Sequence, residues 1–232
     1  MSWTFSIIKN GIRNLSKLQD EADYSDVKLN ALVNRIYNWE LPKEIRPLQL
    51  YTWYPLTISV GDDTYELKKS FYDTYIKLDP LAYLSATVNR KEHKLRVFYD
   101  VAEFYNLWPE GVDYTATANQ ARPTQVLIDN NALLFRKCPD DTYYVQMRAM
   151  RKPLVYVNGT ATTTNDFVND DDIPELEQWG QIIVYLSSIK LLEQMGNMQD
   201  LQLVSQLYEN EIAQVSSLTA NWYQATRATP KF

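Results

Sequence analysis

Residues able to do chemistry are few and far apart in this chain. It holds one histidine, His93, and one cysteine, Cys138. A zinc site asks for about four ligands drawn from Cys, His and carboxylates, and no H-x-x-x-H or C-x-x-C spacing occurs. A Ser-His-Asp or Cys-His system would have to run through His93. That residue closes Asn89-Arg90-Lys91-Glu92-His93, which reads as a polar hairpin turn carrying a solvated histidine, without a positioned nucleophile or orienting group. Glycine is scarce at six residues, and neither G-x-G-x-x-G nor G-x-x-x-x-G-K-[ST] is present, so the usual phosphate cradles are missing. Asn169-Asp170-Asp171-Asp172 is the densest carboxylate run. Its oxygens would suit Ca²⁺, but it lacks the spacing of a calcium loop. Standing just before a predicted helix, it is better explained as negative charge at a helix N-terminus. A glycosidase needs only two carboxylates at the right separation. The 29 Asp and Glu leave that open, although no pair stands out. The inventory therefore points to no catalytic residue, no metal and no cofactor.

Composition narrows the class further. The 232 residues are 45% hydrophobic and 13% aromatic, with a net charge of −6. That is enough apolar material for a real core, in one large domain or two interlocked ones, and too much for intrinsic disorder. Charged or polar residues interrupt every apolar stretch before the roughly 18 residues a membrane helix needs. Met1–Gly11 lacks a basic region ahead of its short apolar run, so no secretory signal is expected. A lone cysteine allows no intrachain disulfide and suits a reducing cytoplasm. The acidic balance argues against tight nucleic-acid binding through a basic face, but not against a surface past which nucleic acid slides. Seventeen Tyr and six Trp can be core packing with surface tyrosines, or can supply the aromatic centre of protein interfaces.

The elements that must position these residues follow from periodicity. Phe5, Ile8, Ile12, Leu15 and Leu18 recur every three or four residues and predict a helix, weakened modestly by Gly11. Ser25 is a helix cap, with Tyr24 and Leu29 placed as a hydrophobic staple. Leu29, Leu32, Val33, Ile36 and Trp39 line one face of the helix that follows, and Pro42 is expected to stop it. Thr57–Val60 and Thr64–Lys68 alternate around Gly61-Asp62-Asp63, the pattern of a β-hairpin. Leu81–Val88 and Lys94–Tyr99 predict two further strands. Asp100-Val101-Ala102-Glu103 reads as a capping box for a short helix through Leu107. Gln125–Ile128, Leu133–Phe135 and Thr142–Met150 predict a meander, so the middle of the chain reads as a small sandwich or barrel. Asp172-Ile173-Pro174-Glu175 is a helix-start signal, with Leu176, Trp179, Ile183, Leu186 and Ile189 on one face. Gly196-Asn197 is a stop. A last helix runs from about Met198 to Ala225, with Leu201, Val204, Tyr208, Ile212, Val215, Leu218 and Trp222 at helical spacing.

Each helical stripe must be buried, and the first two helices have partners only if both chain ends come together. The expected fold is therefore α+β: a helical bundle made from both chain ends, with a small antiparallel β domain inserted. The corresponding boundaries are 1–47 and 160–227 for the bundle, 48–159 for the β domain, and 228–232 for an extended C-terminal tail.

This order of elements resembles the head-to-tail adaptors of tailed bacteriophages, the connector, gatekeeper or tail tubular protein A-like family. Four places carry the resemblance: Leu29–Ile36, Gly61-Asp62-Asp63-Thr64-Tyr65-Glu66-Leu67, Arg151-Lys152-Pro153-Leu154, and Asp172–Trp179 followed by two amphipathic helices, the second holding Leu207–Ile212. Lys68 stands where the family's hairpin has a proline. The resemblance implies a structural virion protein rather than an enzyme, located at the neck between head and tail and made in the bacterial host cytoplasm. It implies a homo-oligomeric ring, commonly of twelve copies, beneath the portal protein. Such a ring meets a tail nozzle or tail-tube protein, touches no membrane, and lets double-stranded DNA pass without specific binding. By position, Arg227, Pro230, Lys231 and Phe232 would form a portal-gripping arm. The other readings are a carboxylate-dependent cell-wall glycan hydrolase and a glycan-binding virion module, which would use two acids or exposed Trp and Tyr.

Overall fold

The computed structural model describes residues 2–18, 24–109, 112–157, 160–161 and 164–227, and their side chains except those of Ala161 and of 216–227. In chain order the elements begin with helices α1 (Phe5–Ser16) and α2 (Asp26–Arg35), a π-helical turn (Ile36–Glu40) and α3 (Leu41–Ile45). Strands β1 (Tyr51–Ile58) and β2 (Thr64–Glu66) come next, then α4 (Lys69–Thr74), β3 (Tyr75–Ser85), β4 (His93–Phe98) and α5 (Val101–Leu107). They are followed by β5 (Gln125–Asp129), β6 (Ala132–Arg136), β7 (Tyr143–Arg151), β8 (Val155–Val157), β9 (Thr160–Ala161) and β10 (Ile173–Pro174). Helices α6 (Gly180–Met195) and α7 (Met198–Arg227) close the described chain. It divides into two compact units, one from Met1–Leu50 and Lys152–Phe232, the other Tyr51–Arg151.

The expected fold class is corrected. The fold is a mixed α/β one dominated by a large curled seven-stranded sheet, a half-barrel, and not a helical bundle with a small β insertion. The helical unit also has a sheet of its own, in the order β10-β8-β9. Local alternation marked the strands but could not show that seven of them join one sheet, in the order β1-β7-β3-β4-β5-β6-β2.

That order explains the curl. β1 and β2 sit at opposite ends of the sheet, yet only residues 59–63 separate them in sequence. Flat, seven strands about 4.8 Å apart would put the ends roughly 29 Å from each other. The connection from Ile58 to Thr64 reaches about 22 Å at most. The sheet must bend, and Tyr54 and Tyr65 bring their hydroxyls to 3.4 Å across the seam. The predicted hairpin is thereby overturned. β1 pairs with β7 (Ile58↔Tyr143) and β2 with β6 (Tyr65↔Leu133). The turn does form, with Gly61 at φ +77°, a left-handed conformation that favours glycine. It is bound to the β6 side of the sheet: Phe135 N–H donates to the Asp63 carbonyl, and Arg136 donates to the Asp63 carboxylate at 2.5 Å. The predicted meander is also interrupted, since β5 and β6 form a hairpin while β7 pairs with β1 and β3. Inside the curl Leu56, Ile58, Leu84, Phe135, Val145 and Met147 are buried. Phe71, Tyr54 and Tyr75 extend this core with stacked and edge-on rings about 5 Å apart. Helix α5 is capped as its sequence predicts, the Asp100 carboxylate accepting from the N–H groups of Ala102 and Glu103. It links β4 to β5, the one parallel pair among the described strands of this sheet.

In the helical unit α6 is the central element. Ile182, Ile183, Val184, Leu186, Leu191 and Leu192 are buried on several sides of it, the pattern of a helix surrounded by neighbours. It begins later than expected. Ile173-Pro174 pairs with β8 as a strand, and the helix starts only after a 3-10 turn at Glu177–Trp179. Pro42 does not stop the second helix either. The π turn carries the chain through it, and the Pro42 carbonyl accepts from Arg46 N–H at the end of α3. Tyr37, Phe5, Phe167 and Trp179 stack in the resulting core. Gly196 ends α6 at φ +71°, the left-handed cap that its sequence predicts.

Candidate functional site

The sequence-predicted chemical residues do not converge. His93 opens β4 as an exposed residue, its Nε2 2.9 Å from Arg122 Nη1. Cys138 is buried, and burial pushes its thiol pKa up, which leaves little thiolate to react. No group of three or more His, Cys, Asp or Glu is placed to hold a metal among the described residues. The acidic run lies against the N-terminus of α1, not of the helix it precedes. Phe5 and Ser6 donate their N–H groups to the carbonyls of Asp172 and Asp170, and Lys9 pairs with the Asp170 carboxylate at 2.7 Å. The Asp172 carboxylate accepts from the N–H groups of Val168 and Asn169 and so closes its own loop. Of the proposed arm, Arg227 is described only as the backbone end of α7, and Pro230, Lys231 and Phe232 lie outside the described residues.

The helical unit carries an apolar groove with a volume of about 470 Å³. α6 packs against both α1 and α7, and the groove is lined by residues of all three. Ile7 and Leu15 come from α1, Val184 and Tyr185 from α6, and Leu207 from α7, with Trp3 at one end. Two glycines shape it. A Cβ at Gly11 would stand 3.1 Å from Val184 Cγ1, so glycine lets α1 settle closely onto α6. A Cβ at Gly180 would overlap the Trp3 ring, so glycine in the first turn of α6 makes room for that indole. The polar part of the lining is uncharged: Asn10, Asn14 and Gln181.

Ion pairs fix the helices around the groove. Lys17, the residue that caps the end of α1, reaches Asp200 of α7 at 2.6 Å. That hydrogen bond, with a second from Asn197, holds the Asp200 carboxyl below its ordinary pKa. Arg13 donates to Asp26 at 2.7 Å, and this bond lowers the Asp26 pKa against the opposing effect of burial, with Lys9 assisting. On α7, Tyr208 donates to the Glu44 carboxylate at 2.5 Å. Burial first and that carboxylate second drive the phenol pKa well above its usual value. Nearby, Leu203 remains 59% exposed and Leu207 37% exposed on α7.

Periodicity alone does not reveal the groove: of the stripe Phe5, Ile8, Ile12, Leu15 and Leu18, the structure buries Phe5, Ile8 and Ile12, while Leu15 lines the groove. Ile7, outside that stripe, lines the groove as well. The signal that could have exposed it is the all-round apolar run Gly180–Met195, which demands neighbours on every side.

The chain matches no protein-family model and no curated protein.

Proposed function

We propose that this chain is a structural subunit of a head-to-tail adaptor ring in a tailed bacteriophage, seated beneath the portal protein and serving as a platform for the tail. The sequence pattern that resembles this family supports it, and one structural observation carries it furthest. α7 has 30 residues and α6 has 16, so at 1.5 Å per residue they are roughly 45 and 24 Å long. They form a hairpin through Ile189, Leu192, Leu201 and Val204, and α7 continues roughly 20 Å past its partner. A long helix beside an open apolar groove is what a subunit built for lateral contact requires, and a closing rotation turns such head-to-tail contacts into a ring. DNA would pass through the ring without specific binding, in keeping with the net charge of −6. On this reading the chain does no chemistry of its own, and its partners are further copies, the portal and a tail protein.

Light scattering on the purified chain, alone and mixed with the portal ring of the same virus, tests this. Addition of about a dozen copies to the portal is the expected result. A chain that neither oligomerises nor binds the portal overturns it and sends attention to glycan binding and hydrolysis.

A further inference from the structure

The groove of the helical unit has a chemical polarity that narrows what can occupy it. We propose that it receives an amphipathic helix from another protein chain, one whose apolar residues recur at i, i+3/i+4 and i+7 and whose flanks are basic. This rests on reading the groove as a protein-docking surface, as above.

Shape comes first. The groove runs beside α6 with residues of α1 and α7 on its borders, and about 470 Å³ accommodates several aliphatic or aromatic side chains in a row. Leu203 and Leu207, one turn apart on α7, extend the apolar surface beyond the lining itself.

Charge then selects the partner. The helical unit, 1–50 with 152–232, carries sixteen Asp and Glu against eleven Lys and Arg, whereas Tyr51–Arg151 carries thirteen against twelve. The described side chains of α7, Met198–Val215, include Asp200, Glu209 and Glu211 and no Lys or Arg. Of these, Asp200 is taken up by Lys17, as Glu193 of α6 is by Lys190, which leaves Glu209 and Glu211. The cations of α1 and of its C-cap are already committed. Lys9 and Arg13 pair with Asp26, Lys9 also with Asp170, and Lys17 with Asp200. A basic-flanked helix finds complementary charge along α7, and an acidic one meets repulsion.

The test uses the full chain and two fluorescein-labelled 14-residue helical probes with identical leucine faces, one with lysine and one with glutamate at the polar positions. Fluorescence anisotropy is expected to show the leucine–lysine peptide binding at least tenfold more tightly than the leucine–glutamate peptide. Leu207→Arg is expected to weaken it at least tenfold, and Glu211→Lys several-fold. Val27→Arg, at a 78% exposed apolar position elsewhere in the same unit, is expected to leave binding unchanged. Leu207 is already partly exposed, and circular dichroism confirms that its variant is folded before binding is read. Equal binding of the two peptides overturns the charge assignment. Binding that survives Leu207→Arg, or that a small apolar dye alone can achieve, overturns the site. Ring formation without peptide binding refutes this inference and leaves the adaptor reading standing. Peptide binding by a chain that never joins a portal does the reverse.

Discussion

The two units dispose of their apolar surface in different ways. In Tyr51–Arg151 the sheet curls around Leu84, Phe135, Val145 and Met147, all fully buried, and α5 covers Phe98 and Leu127 through Phe104. Its charges nearly balance. In the other unit α6 is buried on several sides, yet Val184, Tyr185 and Leu207 still line an open groove. This unit carries sixteen Asp and Glu against eleven Lys and Arg. Both units expose single apolar residues, Val60, Val88 and Leu107 in one and Val27, Met195 and Leu203 in the other, and the helical unit differs in gathering apolar side chains along a groove. The difference teaches that high local burial does not mean a finished surface: a helix can be central to its own unit and still border a docking site.

The sharpest way to break this comparison is to damage one core and watch the other. Trp179→Ala in the helical unit should cost about 3–5 kcal/mol, as should Phe135→Ala in the sheet. Hydrogen exchange should place the lost protection mainly in the mutated unit, and equal loss in both would show the units to be one cooperative body. Next comes Arg136→Met. It leaves Asp63 unpaired at a pair whose side chains are 8% and 20% exposed, and about 3 kcal/mol is expected from chemical denaturation. Smaller again is Gly180→Ala, which forces Trp3 aside at about 1–3 kcal/mol. It should reshape the groove without touching the sheet, as NMR of the Trp3 indole would report. Asp100→Ala removes the cap of α5 and should cost about 1 kcal/mol in a thermal melt.

The smallest effect separates the units by pH. The carboxyls of Asp26 and Asp200 titrate below 3.8 in the folded chain. Their contribution is present above that pH and is lost as the pH falls through their lowered folded values. In the sheet, burial and Asp140 push Tyr143 up to about 12. Its contribution is present below the ordinary tyrosine value near 10 and is lost as the pH rises towards about 12. Acid should therefore loosen the contacts of α1 and spare those of β7, and alkali should do the reverse. Fluorescence and exchange measurements at both extremes check this, and loss of both sets at one extreme would contradict it.

Legibility followed the range of the interactions. Caps and stops set by neighbouring residues could be read directly: Asp100 capping α5, Gly196 ending α6, and the strands either side of Asn89–His93, which pair as Ala82↔Leu95. Features set by distant residues could not. Gly61-Asp62-Asp63 has the chemistry of a hairpin turn, but nothing local reveals that Thr64–Glu66 will pair with residues 132–134. Asp172-Ile173-Pro174-Glu175 carries the marks of a helix start, and pairing with Val155 and Tyr156 overrides them. Pro42 breaks an α-helix by rule, yet the wider π turn before it absorbs the missing donor. The groove was hidden for the same reason, since Ile7, Val184 and Leu207 are scattered through the sequence and meet only in the packed unit.

A sheet that curls without closing is left with two raw edges, and β1 is the longer of them. Pro55 sits in its middle, and Pro at such a place withholds one hydrogen-bond donor from any strand that approaches. At the other edge β2 is only three residues long and stands among Asp62, Asp63, Glu66 and Lys68. Neither border can serve as a good template for strand-by-strand growth. The half-barrel is therefore protected at both borders against pairing edge to edge with another sheet.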